Sequence, residues 1–153
     1  MINLIEIKKQ LHLQCIDIVE KRIKGLKDAL SETQNAANNE TKSSAGDKHE
    51  TGRAMAQLET EKLNHQLGEV LKLIQTLSTI DINQKLMNVA LGSLIVTNRG
   101  RFYLSVSLGK ISFQDHDYYV ISPVSPIGKQ LLTKKEKESF SFNGIKYVIE
   151  QVV

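Results

Sequence analysis

The spacing of apolar residues changes once along this chain, and that change limits the fold it can adopt. From Ile2 to about Ala37, and again from Asp47 to about Ser78, apolar residues recur every three or four positions, as on one face of a helix. From Val89 onward the runs have a period of two and are rich in β-branched and aromatic residues, as in strands. All eight aromatic residues lie at or after Phe102. The sequence therefore predicts an α+β fold, with the helices first and the sheet second.

The two helical stretches predict an antiparallel coiled-coil hairpin, a finger, over residues 1–82 with its tip near 44–53. Each stretch is about thirty residues long, which gives a length of roughly 45 Å at 1.5 Å per residue, and a short connection makes helices antiparallel neighbours. The expected apolar seams are Leu4, Ile7, Leu11, Cys15, Ile18, Ile23, Leu26 and Leu30 in the first helix, and Met55, Leu58, Leu63, Leu67, Val70, Leu71, Ile74 and Leu77 in the second. Ser31–Ser44 is poor in large apolar groups, so we expect a frayed helix end and a flexible loop there.

Residues 83–153 predict a small antiparallel sheet that carries one short helix. Asn143-Gly144 is a strong hairpin signal, and Gly109-Lys110 reads as a turn. Ser125 as N-cap and Pro126 at the first helical position predict a helix over Pro126–Leu132. The expected strands are Leu91–Thr97, Phe102–Leu108, Tyr118–Ser122, Ser139–Phe142 and Ile145–Val152.

The charge is small and unevenly distributed. The formal net charge is +3; residues 1–82 hold 11 basic and 12 acidic side chains, whereas residues 83–153 hold 9 and 5. This balance argues against a nucleic-acid-coating protein and leaves room only for weak DNA binding.

The compartment follows from cysteine usage and hydropathy. The single cysteine, Cys15, excludes an intramolecular disulfide and suits a reducing compartment. Glu6, Lys8 and Lys9 interrupt any secretion signal, and no run approaches the ~20 apolar residues of a membrane span. We expect a soluble, cytoplasmic, monomeric protein with no membrane contact.

Asp47 and Glu50 are the foremost candidates for chemistry. Asp-x-x-Glu at a helix start is the pattern of a capping box, in which the two side chains bond to free backbone amides, and this is the simplest interpretation. Two carboxylates at the end of a projecting finger also suit a hard cation such as Mg²⁺, which takes one or two carboxylates and leaves the rest of its shell to water and phosphate. The two interpretations are compatible.

The other polar clusters favour ordinary surface roles. His49 between the two acids fits a solvated residue better than a metal ligand, and neither His12 nor His65 has Cys or His at ligand spacing, so zinc has little support. Asp115-His116-Asp117 is expected in a solvated turn. The lysines of Lys129–Lys137 are interleaved with Glu136 and Glu138, which favours a solvated face over a phosphate or protein contact.

Two motifs in this chain resemble those of the bacterial Gre transcript-cleavage factors. The first is Gly46-Asp47-x-x-Glu50 at the start of the second helix, followed about thirty residues later by Ile80-Asp81. The second is Ile121-Ser122-x-x-Ser125-Pro126-Ile127 with Leu132 and Lys134, then Asn143-Gly144-x-x-Tyr147-x-Ile149-x-x-Val152. The resemblance covers most of the chain.

This resemblance implies a coiled-coil finger that enters the secondary channel of RNA polymerase and an FKBP-like domain, residues 83–153, that docks on the channel rim. Asp47 and Glu50 would be lent to the polymerase, where they would help hold its catalytic Mg²⁺ and position the attacking water. The polymerase's own active site would cut backtracked RNA at its 3′ end, so the protein would be no enzyme and would bind no cofactor alone. The residues expected to contact the partner are Ser125, Pro126, Lys129 and Lys134.

Two alternatives stay open. The family has Asn after the second acid and then an acidic and an aromatic residue, whereas this chain has Thr51, Arg53 and Ala54. These departures favour a regulator that occupies the channel without cleavage. The other alternative, from a different class, is a coiled-coil adaptor for an unrelated protein. A prolyl isomerase is disfavoured, because its aromatic pocket would compete with the core for the same eight side chains.

Overall fold

The computed structural model describes residues 3–42 and 46–153, with side chains described for 3–39 and 51–153. The fold is α+β. Two long helices, α1 (Leu4–Lys42) and α2 (Gly46–Ser78), are followed by a six-stranded, mostly antiparallel sheet and one short helix. The strands are β1 (Leu94–Thr97), β2 (Arg101–Leu104), β3 (Gly109–Phe113), β4 (His116–Ile121), β5 (Ser139–Phe142) and β6 (Ile145–Val152), and α3 (Pro126–Leu131) lies between β4 and β5. Residues 17–75 form one compact unit, and residues 1–16 together with 76–153 form the other.

Within the unit of residues 17–75, a series of less exposed positions in each helix is spaced alternately by three and four. The series is Val19, Ile23, Leu26, Leu30, Thr33 and Ala37 in α1, and Ala56, Thr60, Leu63, Leu67, Val70 and Ile74 in α2. Ile18, Ala29, Gly52 and Leu73 are half-buried as well. One groove lies between the stretch that includes Leu26 and the stretch that includes Val70, and a second lies between residues near Gln34 and residues near Gln57. Residue numbers therefore rise along α1 as they fall along α2, as in antiparallel helices.

Three seam residues expected in α2 are instead exposed. Met55 is 67%, Leu58 is 66% and Leu71 is 43% exposed. Between residues 51 and 60 of α2, the half-buried positions are Gly52, Ala56 and Thr60. The prediction followed the large apolar residues, whereas the three-four spacing continues through small ones.

The predicted loop at Ser31–Ser44 is helical through Lys42. Thr33 donates its hydroxyl to the carbonyl of Ala29, one turn back, at 2.9 Å. Ala37 and Asn38 line a groove with residues of α2. The helix therefore continues through a stretch that lacks large apolar side chains. Residues 43–45 of the expected loop lie outside the described residues.

The sheet has the strand order β3-β4-β2-β1-β6-β5. Four of its five neighbouring pairs are antiparallel, and β2 and β4 are parallel, with Phe102 opposite Tyr119. The sequence prediction missed β3 because it treated Gly109-Lys110 as a turn. Gly109, at φ 83°, is in fact the first residue of β3 and lies opposite Val120 of β4.

Secondary structure covers both faces of the sheet. On one face Phe102 and Ile149 share a core cluster with Leu131 of α3. Tyr103, the neighbour of Phe102 in β2, points to the opposite face because side chains alternate along a strand. There it meets His12 of α1. The first turns of α1 and the helix α3 therefore lie on opposite faces of the sheet.

The start of α3 requires a glycine at position 128. The Ser125 side chain accepts a hydrogen bond from the Gly128 amide at 3.1 Å and donates to the carbonyl of Ser122 at 2.6 Å. A Cβ at Gly128 would overlap the Ser122 carbonyl oxygen and lie 2.7 Å from the Ser125 hydroxyl. The Ser125 cap can therefore form only because residue 128 has no side chain.

We expect Gly128→Ala to lower the free energy of unfolding by roughly 1–3 kcal/mol through this overlap, measured by urea denaturation. Gly25→Ala is the matched control, because Gly25 is helical, exposed and has nothing within 4 Å of its added Cβ. That control should raise stability by about 0.5–1 kcal/mol. Equal effects of the two substitutions would contradict the assignment.

Candidate functional site

Asp47 and Glu50 belong to the first turns of α2. The helix begins at Gly46, so the two acids are its second and fifth residues. A spacing of three places both on one side of the helix, and the amino end of a helix favours negative charge. Their side chains, like that of His49 between them, lie outside the described residues.

The α2 surface that follows the acidic pair is exposed. Arg53 and Ala54 are both exposed, and Arg53 lines a groove of about 680 Å³ that α1 shares through Leu30 and Gln34. Met55 and Leu58 expose two-thirds of their surface. Exposed side chains in the eight residues after Glu50 thus include a cation and two large apolar groups.

The four residues expected to contact a partner lie around α3. Ser125 uses its hydroxyl in the N-cap, and Pro126 occupies the first helical position. Pro126 and Lys129 are exposed, whereas Lys134 is half-buried. The carbonyl of Lys134 accepts from the Val89 amide at 2.7 Å. The structure thus places the four in one region, where Ser125 and the backbone of Lys134 hold the fold together.

Sequence reasoning missed a buried polar cluster where α1 meets the sheet. His12 Nδ1 and the Tyr103 hydroxyl share a hydrogen bond of 2.8 Å, and the two residues are 4% and 0% exposed. One turn earlier, Lys8 is 1% exposed and donates its ammonium to the carbonyl of Gln84 at 2.9 Å. Cys15 is fully buried. In the sequence, the one sign of this cluster is that Lys8 and His12 follow the same three-to-four spacing as Cys15, an apolar seam residue of α1.

Burial perturbs the acid-base behaviour of the whole cluster. Desolvation lowers the pKa of Lys8, against a smaller opposing effect of Asp81, and lowers the pKa of His12, with a further contribution from the Lys8 charge. Desolvation raises the pKa of the Cys15 thiol to about 12 and also raises the pKa of Tyr103. Cys15 is therefore a packed thiol and not a nucleophile at neutral pH. The cluster is enclosed, His12 and Tyr103 bond to each other, and Lys8 bonds to a backbone carbonyl, so these groups serve to hold the fold together.

The Asp115-His116-Asp117 cluster spans the end of the turn before β4 and the first two residues of that strand. Asp115 adopts φ 66° in the turn between β3 and β4, and His116 begins β4. Asp117 accepts from the Ser112 hydroxyl at 2.6 Å and lies 3.9 Å from the Lys110 ammonium. The cluster pins two neighbouring strands together.

The described residues hold no group of three or more His, Cys, Asp or Glu able to bind a metal ion. In that same part of the chain no helix is both long and apolar enough to cross a membrane. Comparison with known proteins adds no assignment, since no family model, no curated protein and no solved structure matches this chain.

We expect the stability of the fold to fall as pH drops from 7.5 to 5.5, because His12 is buried with a lowered pKa. The unfolded chain binds a proton near pH 6.5, whereas the folded chain binds it only at lower pH, so acid favours unfolding across this window. Protonated His12 would also be repelled by the Lys8 ammonium. Urea midpoints at both pH values measure the effect.

The matched variants are His12→Gln and His65→Gln. His12→Gln should lose stability at pH 7.5 but show a smaller further loss at pH 5.5. His65 is exposed in α2, and its substitution should leave the acid-dependent loss unchanged. An equal acid-dependent loss in His12→Gln and the unmodified protein would remove His12 as its cause.

Proposed function

We propose that this chain is a Gre-type elongation factor that binds RNA polymerase, enters its secondary channel with residues 17–75 and stimulates cleavage of backtracked RNA. The observation that carries the proposal is the position of Asp47 and Glu50. They occupy the first turns of α2, a few residues after α1 ends at Lys42. An acidic pair at the connected ends of two long helices is what the Gre motif supplies.

The proposed coiled-coil hairpin is supported by the three-four spacing of the less exposed positions in α1 and α2. Three ion pairs in the described part of these helices, Lys21–Asp17, Lys24–Asp28 and Lys72–Glu69, each join exposed side chains within one helix. Such pairs contribute little stability. The hairpin would therefore be held mainly by its apolar seam.

The proposed FKBP-like assignment of the sheet domain is supported by a mostly antiparallel sheet with the short helix α3 across one face. Its docking surface on the polymerase would be Pro126, Lys129 and Lys134, beside the N-cap of Ser125. The cap explains why Ser125-Pro126 belongs to such a surface: it fixes the direction in which α3 presents Lys129. The basic balance of residues 83–153 adds electrostatic attraction to an acidic partner surface.

The donor set at the start of α2 fits Mg²⁺. Asp47 and Glu50 supply hard carboxylate oxygens, and two of them suit a cation that keeps much of its shell for water and phosphate. When bound, Mg²⁺ stabilises charge on the phosphate oxygens and activates water. The role of Asp47 and Glu50 would be to hold the ion that the polymerase already carries and to accept hydrogen bonds from the water that attacks. The chain alone would therefore cleave nothing.

A channel-occupying regulator without cleavage activity is the second candidate. It is favoured by the exposed Arg53, which places a positive charge one turn after Glu50. A guanidinium so close to two carboxylates competes with a cation for them. Such a protein would displace a true cleavage factor and leave the RNA intact.

The deciding experiment adds the protein to a backtracked elongation complex and follows the length of the RNA 3′ end. We expect shortening by the unmodified protein and a loss of about 10- to 100-fold in cleavage rate for Asp47→Asn/Glu50→Gln, because these amides cannot hold the cation. Glu59→Gln/Glu61→Gln, two exposed acids farther along α2, is the charge-matched control and should cleave normally.

Each other outcome supports a different function or mechanism. No shortening, combined with inhibition of an added cleavage factor, establishes the channel-occupying regulator. Shortening that is equal for both double variants removes Asp47 and Glu50 from the mechanism. If the immobilised chain recovers no polymerase subunits from cell extract, the remaining candidate is a coiled-coil adaptor for an unrelated protein.

A further inference from the structure

A cleft of about 830 Å³ lies in the unit formed by residues 1–16 and 76–153. The first turn of α1, the segment after α2, the start of β4 and the end of β6 line it. Its apolar part includes Leu4, Leu86 and Val152, and Met87, 86% exposed, stands at its edge. A cleft of this size with an apolar lining suits a ligand that brings an apolar group.

The cleft is positively charged. Lys85 and Arg101 line it together with the imidazole of His116, and no lining side chain is acidic. Among the described residues none of these three pairs with a carboxylate. Arg101 is held in place by Tyr118, which accepts from its guanidinium at 3.0 Å and lies under it at 5.7 Å. Its charge is therefore fixed in position and not neutralised.

The segment 85–88 beside the cleft has unused backbone hydrogen-bonding groups. Just before it the Gln84 carbonyl accepts from Lys8, and just after it the Val89 amide donates to the Lys134 carbonyl. Between these two anchors, the four amides and four carbonyls make no hydrogen bond within the described part of the chain. Two fixed ends thus hold a run of free donors and acceptors along the cleft.

A smaller cavity of about 210 Å³ continues the same surface past Met87. Lys135 and Glu136 line it, and the Glu136 carboxylate accepts from the Val152 amide at 3.4 Å. The Glu138 carboxylate also lies nearby, where it accepts from the Lys135 amide at 3.1 Å. The smaller cavity therefore carries charges of both signs, and the unbalanced positive charge is that of the larger cleft.

We propose that this cleft binds an acidic peptide segment of a partner protein, with one large apolar side chain between Leu4, Leu86 and Val152. Carboxylates on either side of that anchor would meet Lys85, Arg101 and His116. The peptide backbone would bond to free groups of segment 85–88, which bends at Met87 and Asn88 and so offers individual hydrogen bonds and not a strand edge. A peptide, rather than a small anion, is favoured because only a chain uses charges, an apolar floor and a run of free backbone groups together. This proposal is independent of any role in transcription.

The test uses a fluorescein-labelled nine-residue peptide in which Leu-Phe-Leu is flanked on each side by three Glu. With the full chain we expect micromolar affinity by fluorescence anisotropy and NMR amide shifts concentrated at residues 85–88. Lys85→Glu should weaken binding about tenfold, because it replaces an attractive charge by a repulsive one. Lys146→Glu, an exposed lysine of β6 that does not line the cleft, is the matched control and should change binding less than twofold.

Two further peptides separate the parts of the proposal. Replacement of the six Glu by Lys should abolish binding, and N-methylation of the three central amides should weaken it. The proposal is overturned by absence of binding up to about 1 mM, by equal weakening in Lys85→Glu and Lys146→Glu, or by full affinity of the N-methylated peptide. Because Lys85 is exposed and bonds to nothing else described, its substitution should leave the fold intact. A far-ultraviolet circular dichroism spectrum checks this.

Discussion

The burial of the first turns of α1 against β2 is the contact on which the sheet unit depends. Leu11, Cys15 and Tyr103 are fully enclosed there, and the hydrogen bond between His12 and Tyr103 satisfies two polar groups that burial would otherwise leave unpaired. A buried donor or acceptor without a partner costs about 1–3 kcal/mol. Removal of α1 would expose one face of the sheet, because α3 covers only the opposite face. The N-terminal residues are therefore part of the sheet's core as much as of a helix.

Much of the fold followed from local sequence. The ends of α2 and α3 were predicted closely because Gly46-Asp47 and Ser125-Pro126 are explicit helix starts, and β5 and β6 because Asn143-Gly144 joins them. The misses came where tertiary contacts outweigh composition. Residues 31–42 are helical although they lack large apolar groups, and β3 pairs along an edge with Ile111 as its only buried residue. The parallel pairing of β2 with β4 was not predictable from turn signals.

The candidate sites divide in the same way. Asp47 and Glu50 were found because a spacing of three at a helix start is a local pattern. The positive cleft was not found, because Lys85, Arg101 and His116 come from three separate segments and gain meaning only when the fold brings them together. Ligand spacing along the sequence could not indicate the role of His12, because its hydrogen-bond partner, Tyr103, is 91 positions away. Long-range polar pairs leave no periodic trace in one sequence.

The half-buried positions of residues 31–39 and 51–60 are held by small side chains, and this has a consequence for local stability. Between 30 and 39 and between 51 and 60, the half-buried positions beyond Leu30 are held by threonine, alanine and glycine, whereas Val19 and Leu63 are buried. Less apolar area is removed from water per turn, so amide hydrogens there exchange through openings of lower free energy. The helical unit is thus graded along its length. We therefore expect residues 30–39 and 51–60 to open more readily than the turns around Val19 and Leu63.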